Sequence, residues 1–218
     1  MGFSLRFLKK ILMRIMFLPW FLMSLPKSLF IPGLVYLYYL QLLCLYGLKM
    51  IIKLKQDIKI WILATIFFLM GLLNIYHHEM WRDEMQAWLI AGASDDIPEL
   101  FKNLEYDGHP ALWHLLLFIL TRFDAAPFAM QILHLFLAVC AAFVFLKHAP
   151  FSSWHKSLFI FGYFPFYEYA VISRNYVLGM LFVFLFCANF KYLPRKLIFL
   201  SLLLFLLCQA HIYGLIIT

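Results

Sequence analysis

Asp83 and Glu84 are adjacent carboxylates that follow a long apolar run, with Arg82 immediately before them. Neighbouring carboxylates repel, so a nearby cation or metal is needed to keep both ionised. Such a pair suits a general base, with the second carboxylate binding metal or orienting an acceptor. It equally suits two acids in the first turn of a helix over 83–93, where they complement the helix dipole. Tyr106-Asp107-Gly108-His109-Pro110 reads first as a turn ended by Gly and Pro, and second as a device that aims His109 at a ligand. His77-His78-Glu79 cannot all reach one ion, because consecutive helical residues point about 100° apart. They read as interfacial polar residues. Glu168, Arg174 and His211 sit in or beside apolar runs. Each such group costs about 2.5–3.5 kcal/mol at membrane depth, which marks it as a candidate for function. Arg174 is a natural phosphate partner, and with Glu168 it could also form a structural ion pair. His114 and His134, on apolar faces, read as hydrogen-bonded packing residues.

The elements that must position these groups are apolar. Of 218 residues, 65% are hydrophobic and only 13% charged, too little polar surface for a water-soluble domain. Runs with few or no charges occur at 29–48, 60–76, 126–146, 157–172, 176–190 and 197–217, with a shorter one at 11–25. Several approach the roughly 20 residues that cross a bilayer, and alternating strands are absent. The expected fold is therefore all-α: a polytopic integral membrane bundle. Trp81, Trp88 and Trp113 are expected in an interfacial aromatic belt. Cys44, Cys140, Cys187 and Cys208 lie singly, without zinc or disulfide spacing.

The net charge of +7 does not point to nucleic acid. Residues 77–110 carry eight of the eleven acids against Arg82 and Lys102, so the rest of the chain is strongly basic. That asymmetry reads as cytoplasmic anchoring. The basic start (Arg6, Lys9, Lys10, Arg14) precedes an apolar stretch with Pro19 and Pro26 in place of a signal-peptide cleavage site, and reads as a retained anchor. Lys49, Lys53, Lys55 and Lys59 place their linker in the cytoplasm, so 60–76 runs outward and the acidic segment faces the periplasm, lumen or exterior. The apolar stretch Pro110 to Phe123 has fourteen residues. It would span only about 21 Å as a helix. Laid along the outer surface, it leaves the basic linkers 147–156 and 191–196 inside. The segment 77–125 is then one outer loop with in-plane helices, 126–146 and 176–190 run inward, and 157–172 and 197–217 run outward. A second in-plane helix is predicted from the spacing of Ile97, Leu100, Phe101 and Leu104, with Asp96 and Glu99 at capping-box positions and Pro98 in the first turn. This layout gathers Asp83, Glu84, His109, Glu168, Arg174 and His211 at the outer face. Thr218 follows an apolar run directly, so the C-terminus looks cut.

The stretch E-M-W-R-D-E-M-Q-A-W-L-I-A from Glu79, followed by Y-D-G-H-P-A-L-W-H-L-L-L to Leu116, resembles the first outer loop of GT-C superfamily glycosyltransferases, nearest to bacterial members related to the protein O-mannosyltransferase and lipid A aminoarabinose transferase families. Further echoes are E-Y-A-V-I-S-R-N-Y-V-L-G at 168–179 and A-H-I-Y-G at 210–214, whereas 1–57 matches nothing comparable. Two regions are expected: an N-terminal anchor with a cytoplasmic basic linker over 1–57, read from its charges, and the GT-C-like membrane module that the resemblance implies over 58–218. The resemblance implies inverting transfer of a sugar from a polyprenyl-phosphate donor to a glycan, lipid or protein acceptor on the outer face of a bacterial plasma membrane. Asp83 would be the catalytic base with Glu84 beside it. Arg82, His109 and Arg174 would lie near the donor phosphate, and His211 would be a divalent-metal ligand. Ala111 stands where the family pattern has a second proline, and Gly108 where some relatives have a metal-binding acid, which sets metal dependence apart from the other expectations. The competing expectations are a solute transporter or lipid-binding membrane module, and a truncated transferase relative without turnover.

Overall fold

A computed structural model describes residues 32–105, 107–123 and 126–218, and the first helix among them is α1. α1 runs Pro32–His77 without a break. The basic linker expected between runs 29–48 and 60–76 is thus itself helical, because from Gly47 to His77 no proline interrupts a stretch rich in Leu, Ile, Lys and Gln. Packing divides the chain into two units, 1–55 and 56–218. In the first, the described residues are helical, with Leu43, Tyr46, Met50 and Leu54 exposed. The apolar run at 11–25 lies outside the described residues.

The second unit is all-helical among its described residues. Short helices α2 (Arg82–Ala93), α3 (Ile97–Asn103) and α4 (Leu112–Thr121) follow α1. Then come α5 (Phe128–His148), α6 (Ser153–Ile160), a π-helical turn at Tyr163–Glu168, α7 (Tyr176–Asn189) with a 3-10 turn at Phe190–Tyr192, α8 (Leu197–Ala210) and α9 (Ile212–Ile217). Two stretches, Leu45–His77 and Phe128–His148, are long and apolar enough to cross a membrane; Leu112–Thr121, Tyr176–Tyr192 and Leu197–Ala210 are apolar but shorter. α5 spans about 31 Å at ~1.5 Å per residue, close to a hydrocarbon core.

Two runs that read as single spans are interrupted. In 157–172, α6 ends at Ile160, and at Gly162, before the π-helical turn, an added Cβ would lie 3.1 Å from the Phe159 carbonyl. Pro165 supplies no N–H, and the ladder continues in wider steps, Tyr169 N–H to Phe164 O and Ile172 N–H to Tyr167 O. In 197–217 the break is His211, extended at φ −157°, which ends α8 and caps α9.

One core joins the long and short helices. Ile60 and Phe67 of α1, Ala87, Trp88 and Ala91 of α2, Trp113 and Leu117 of α4, and Met130, Ala138 and Ala142 of α5 pack in the same cluster. Trp88 and Trp113 are therefore core residues and not part of an aromatic belt; of the three tryptophans assigned there, Trp81 alone is exposed. They lie inward because Glu84, Ala87, Trp88 and Ala91 form the i, i+3, i+4, i+7 face of α2, which α4 covers. In α3, Leu100 and Leu104 are buried and Ile97 and Phe101 exposed, so half of the predicted apolar stripe is used. Its cap follows the expectation in part: Asp96 accepts from Glu99 N–H at 2.8 Å, while Glu99 reaches the N–H of Asp95. Arg122 closes the segment, donating to the Ser94 carbonyl from above the Phe118 ring.

The ends of the helices sort into two groups. His134 in the first half of α5 donates to the Arg174 carbonyl just before α7, and Asn175 donates to the carbonyl of Ala210 at the end of α8. At the other end, Phe145 and His148 of α5 share a cavity with Phe184 and Cys187 of α7. α5 and α7 run the same way and α8 returns, which brings Arg174, His211 and the loop 78–110 to one end and Lys147, His148 and Lys191 to the other.

Candidate functional site

The first turn of α2 sends its two acids to different environments. Glu84 is fully buried and accepts three hydrogen bonds: from Ser173 N–H at 2.6 Å, Trp81 N–H at 2.8 Å and His78 Nε2 at 2.9 Å. It ties the loop before α2 to the loop before α7 and does not line the cavity beside Asp83. Asp83, one position earlier and so about 100° around the helix, points outward with 59% of its side chain exposed. Arg174 Nη2 lies 3.4 Å from Asp83 Oδ2, and its guanidinium sits 4.9 Å above the Tyr176 ring. Arg174 thus pairs with Asp83, not with Glu168, whose partner is the Tyr163 hydroxyl at 3.5 Å.

Asp83 and Arg174 stand over a cavity of about 270 Å³ lined also by Gln86, Asp107, His109, His114 and Ser173. Asp107 is a residue that sequence reasoning passed over as part of a turn. Gly108 adopts φ 71°, a conformation that favours glycine, and this reversal folds His109 back on Asp107. His109 Nδ1 donates to the Asp107 carbonyl and carboxylate at 3.0 and 3.1 Å, while Gln86 Nε2 donates to the other carboxylate oxygen at 3.0 Å. His114 Nε2 approaches the same carboxylate at 3.6 Å, too far for a hydrogen bond. Burial lowers the His114 pKa, with His109 adding to the effect and the Asp107 charge opposing it. A signal for Asp107 existed: an acid two positions before a histidine in a Gly-containing turn.

At this cavity the buried Trp113 Nε1 and Ser173 Oγ have no protein partner. Buried polar groups are ordinarily satisfied, so such orphans mark a place for water or a polar ligand. His114 is buried as expected, and His134 makes the bond expected of it, to the Arg174 carbonyl.

Of the six residues singled out, Asp83, His109 and Arg174 meet at this cavity. Arg82 is exposed and Glu84 buried, and neither lines it. His211 lines a neighbouring cavity of about 830 Å³, mostly apolar, between the π-helical turn, α7 and the α8–α9 break, together with Tyr163, Glu168, Tyr169 and Tyr176. Its Nδ1 accepts from Tyr213 N–H at 3.0 Å, and its ring stacks on Tyr213 and leans on Tyr176. Among the described residues no three His, Cys, Asp or Glu side chains converge as a metal cage. Tyr176 joins the two cavities, since it lines the apolar one and carries Arg174 of the polar one on its face. No protein-family model, no curated protein and no solved structure matches this chain.

Proposed function

We propose that this chain is a polytopic membrane glycosyltransferase of the GT-C type, acting at the outer face of a bacterial plasma membrane. It would move a sugar from a polyprenyl-phosphate donor to a hydroxyl acceptor with inversion. The observation that supports the reading most is the joined pair of cavities at one end of the apolar helices. One is polar, with an exposed carboxylate, a guanidinium and orphaned buried polar atoms; the other is apolar and suits an isoprenoid chain. The Glu79–Leu116 motif resemblance points the same way.

In this reaction the acceptor oxygen attacks the anomeric carbon from the side opposite the phosphate. The carbon–oxygen bond to phosphate breaks, and polyprenyl phosphate leaves with the bonding electrons. The acceptor proton passes to Asp83. Arg174, on the rim beside the apolar cavity, neutralises the leaving phosphate with its planar fork. A phosphate drawn to Arg174 releases Asp83 from their ion pair, which frees the base when donor is present. Gln86, Asp107, His109 and His114 offer donors and acceptors for sugar hydroxyls. Glu84 serves as scaffold in this mechanism, and no step needs Arg82 or a metal.

Asp83→Asn tests the assignment in the full chain, in membranes supplied with a polyprenyl-phosphate sugar. Transfer should fall by about 10²- to 10⁴-fold, as for loss of a general base. Undiminished transfer would show that Asp83 does no more than complement the α2 dipole.

A further inference from the structure

At the end remote from Asp83, the protein collects cations in excess of acids: Asp57 of α1 is one turn before Trp61, which packs on Phe143 of α5 beneath Lys147. After Asp124 the sequence has one acid, Glu168, which belongs to the opposite end, and six lysines and arginines, of which Arg174 alone lies there with it. The other five are Lys147, Lys156, Lys191, Arg195 and Lys196. Lys147 and His148 end α5, Lys156 lies in the first turn of α6, and Lys191 is in the 3-10 turn that follows α7. Lys156 is buried and its Nζ donates to the Leu146 carbonyl at 2.7 Å, which fastens α6 to the last turn of α5 and leaves its charge at this end. His148 stands in the combined field of Lys147, Lys191 and Lys156. Arg195 and Lys196 continue the basic surface, with Lys196 held by Asn189 at 2.8 Å.

Beside these charges lies a cavity of about 290 Å³ with apolar walls from Val144, Phe145, Phe151, Val183 and Phe184, and with His148 at its edge. The aromatic wall is continuous: Phe145 stacks on Phe159 at 4.4 Å and lies 5.1 Å from Phe184. A slot of this kind on a water-soluble partner surface would be an isolated hydrophobic pocket. On a helix bundle in a bilayer it opens at headgroup depth, with hydrocarbon on one side and cations on the other.

We propose that this end of the bundle is a binding site for one anionic phospholipid of the inner leaflet, its phosphate held by Lys147, His148 and Lys191 and the start of an acyl chain seated between α5 and α7. The occupant follows from complementarity. Several cations that outnumber Asp57, the carboxylate at this end, call for an anion, and the apolar slot beside them calls for a chain attached to it. Bound there, the lipid would clamp the C-terminal ends of α5 and α7, whose opposite ends carry the Arg174 loop. This site requires the chain to lie in a membrane but does not depend on sugar transfer.

The test uses the purified full chain in a zwitterionic detergent, titrated with dioctanoyl phosphatidylglycerol, dioctanoyl phosphatidylcholine or inorganic phosphate, and read by the shift in thermal unfolding. Phosphatidylglycerol should stabilise in a saturable way, and the other two should not. Lys147→Gln with Lys191→Gln should weaken the phosphatidylglycerol effect by about fivefold for each lysine removed. Val183→Trp, which fills the slot while every cation remains, should weaken it as well. Should the double variant fold poorly, Lys147→Arg with Lys191→Arg keeps the charge and should retain binding. Equal stabilisation by both lipids, or undiminished binding by the double-Gln variant, would overturn the charge part. Equal binding of inorganic phosphate, or full binding by Val183→Trp, would overturn the slot and leave a simple anion site. Loss of sugar transfer in Asp83→Asn has no bearing on these outcomes, so the two proposals fail separately.

Discussion

Asp83 and Glu84 should respond to substitution in opposite ways, although they are neighbours and both acidic. Glu84→Ala removes an acceptor from three buried or half-buried donors, the N–H groups of Ser173 and Trp81 and the His78 ring. Breaking a buried charged network of this kind costs about 3–5 kcal/mol. Glu84→Gln preserves the shape, and its amide oxygen can still receive Trp81 and His78. Its NH₂ then faces the Ser173 N–H, donor against donor, for a cost of about 1–3 kcal/mol. Asp83→Asn disturbs one exposed ion pair at 3.4 Å, with an effect below about 1 kcal/mol. In a chain of this size each kcal/mol moves the midpoint by roughly 2–4 °C, so Glu84→Ala should melt about 6–20 °C below wild type. Glu84→Gln should fall between, and Asp83→Asn within about 4 °C of wild type. Scanning fluorimetry of the three purified variants in one detergent measures the midpoints, and sugar transfer by the same preparations measures the chemistry. Asp83→Asn should be stable and inactive, while Glu84→Gln should lose activity only as far as it loses folded protein. A stable but inactive Glu84→Gln would return Glu84 to the reacting groups, and a strongly destabilised Asp83→Asn would make Asp83 a structural residue.

Three other expectations follow from the same site. Arg174→Lys keeps the charge and loses the planar fork, so binding of a polyprenyl-phosphate analogue should weaken, and Arg174→Ala should weaken it further; equal binding by all three removes Arg174 from the donor site. Burial depresses the pKa of His114, so its neutral form is the one the fold favours. Its contribution to stability is complete above the ordinary histidine value of about 6.5 and is lost as pH falls below it; melting midpoints taken down from pH 7 should decline, and less steeply in His114→Asn. In topology, a single cysteine at exposed Lys102 should react with an impermeant thiol reagent from outside, and one at exposed Ser153 should not; Ser94 is buried and unsuited to the test.

Periodicity and charge made much of the fold legible before any coordinates. The helix of α2 and the Asp96 cap of α3 are written in residues close in sequence, whereas the buried face of α2, with Trp88 on it, is not. What stayed hidden depends on contacts between distant segments. Glu84 meets Ser173 across 89 positions, and Asp107 meets Gln86 across 21. No local spacing encodes either contact, so the two acids of α2 looked alike, and Asp107 looked like part of a turn. The broken runs failed for a related reason. Hydropathy does not register the backbone at Gly162 or His211, since both lie among apolar neighbours.

Those breaks explain how chemistry-bearing residues reach the end of an apolar bundle. A continuous helix through 197–217 would bury His211 midway along a helix. The extended residue instead ends α8 at Ala210, whose carbonyl then takes the Asn175 amide. Asn175 in turn fixes the segment that carries Arg174 on one side and Ser173, with its N–H on Glu84, on the other. The His134 ring secures the same segment through the Arg174 carbonyl. Three elements, α2, α5 and α8, therefore converge on residues 173–175, with Glu84, His134 and Asn175 each spent on backbone. Asp83 and Arg174 are not so used, and their charged ends remain at the cavity rim. A scaffold that holds its loop by main-chain atoms leaves the guanidinium and the carboxylate free to exchange each other for a ligand, which is the property a phosphate-displacing transferase needs from this pair.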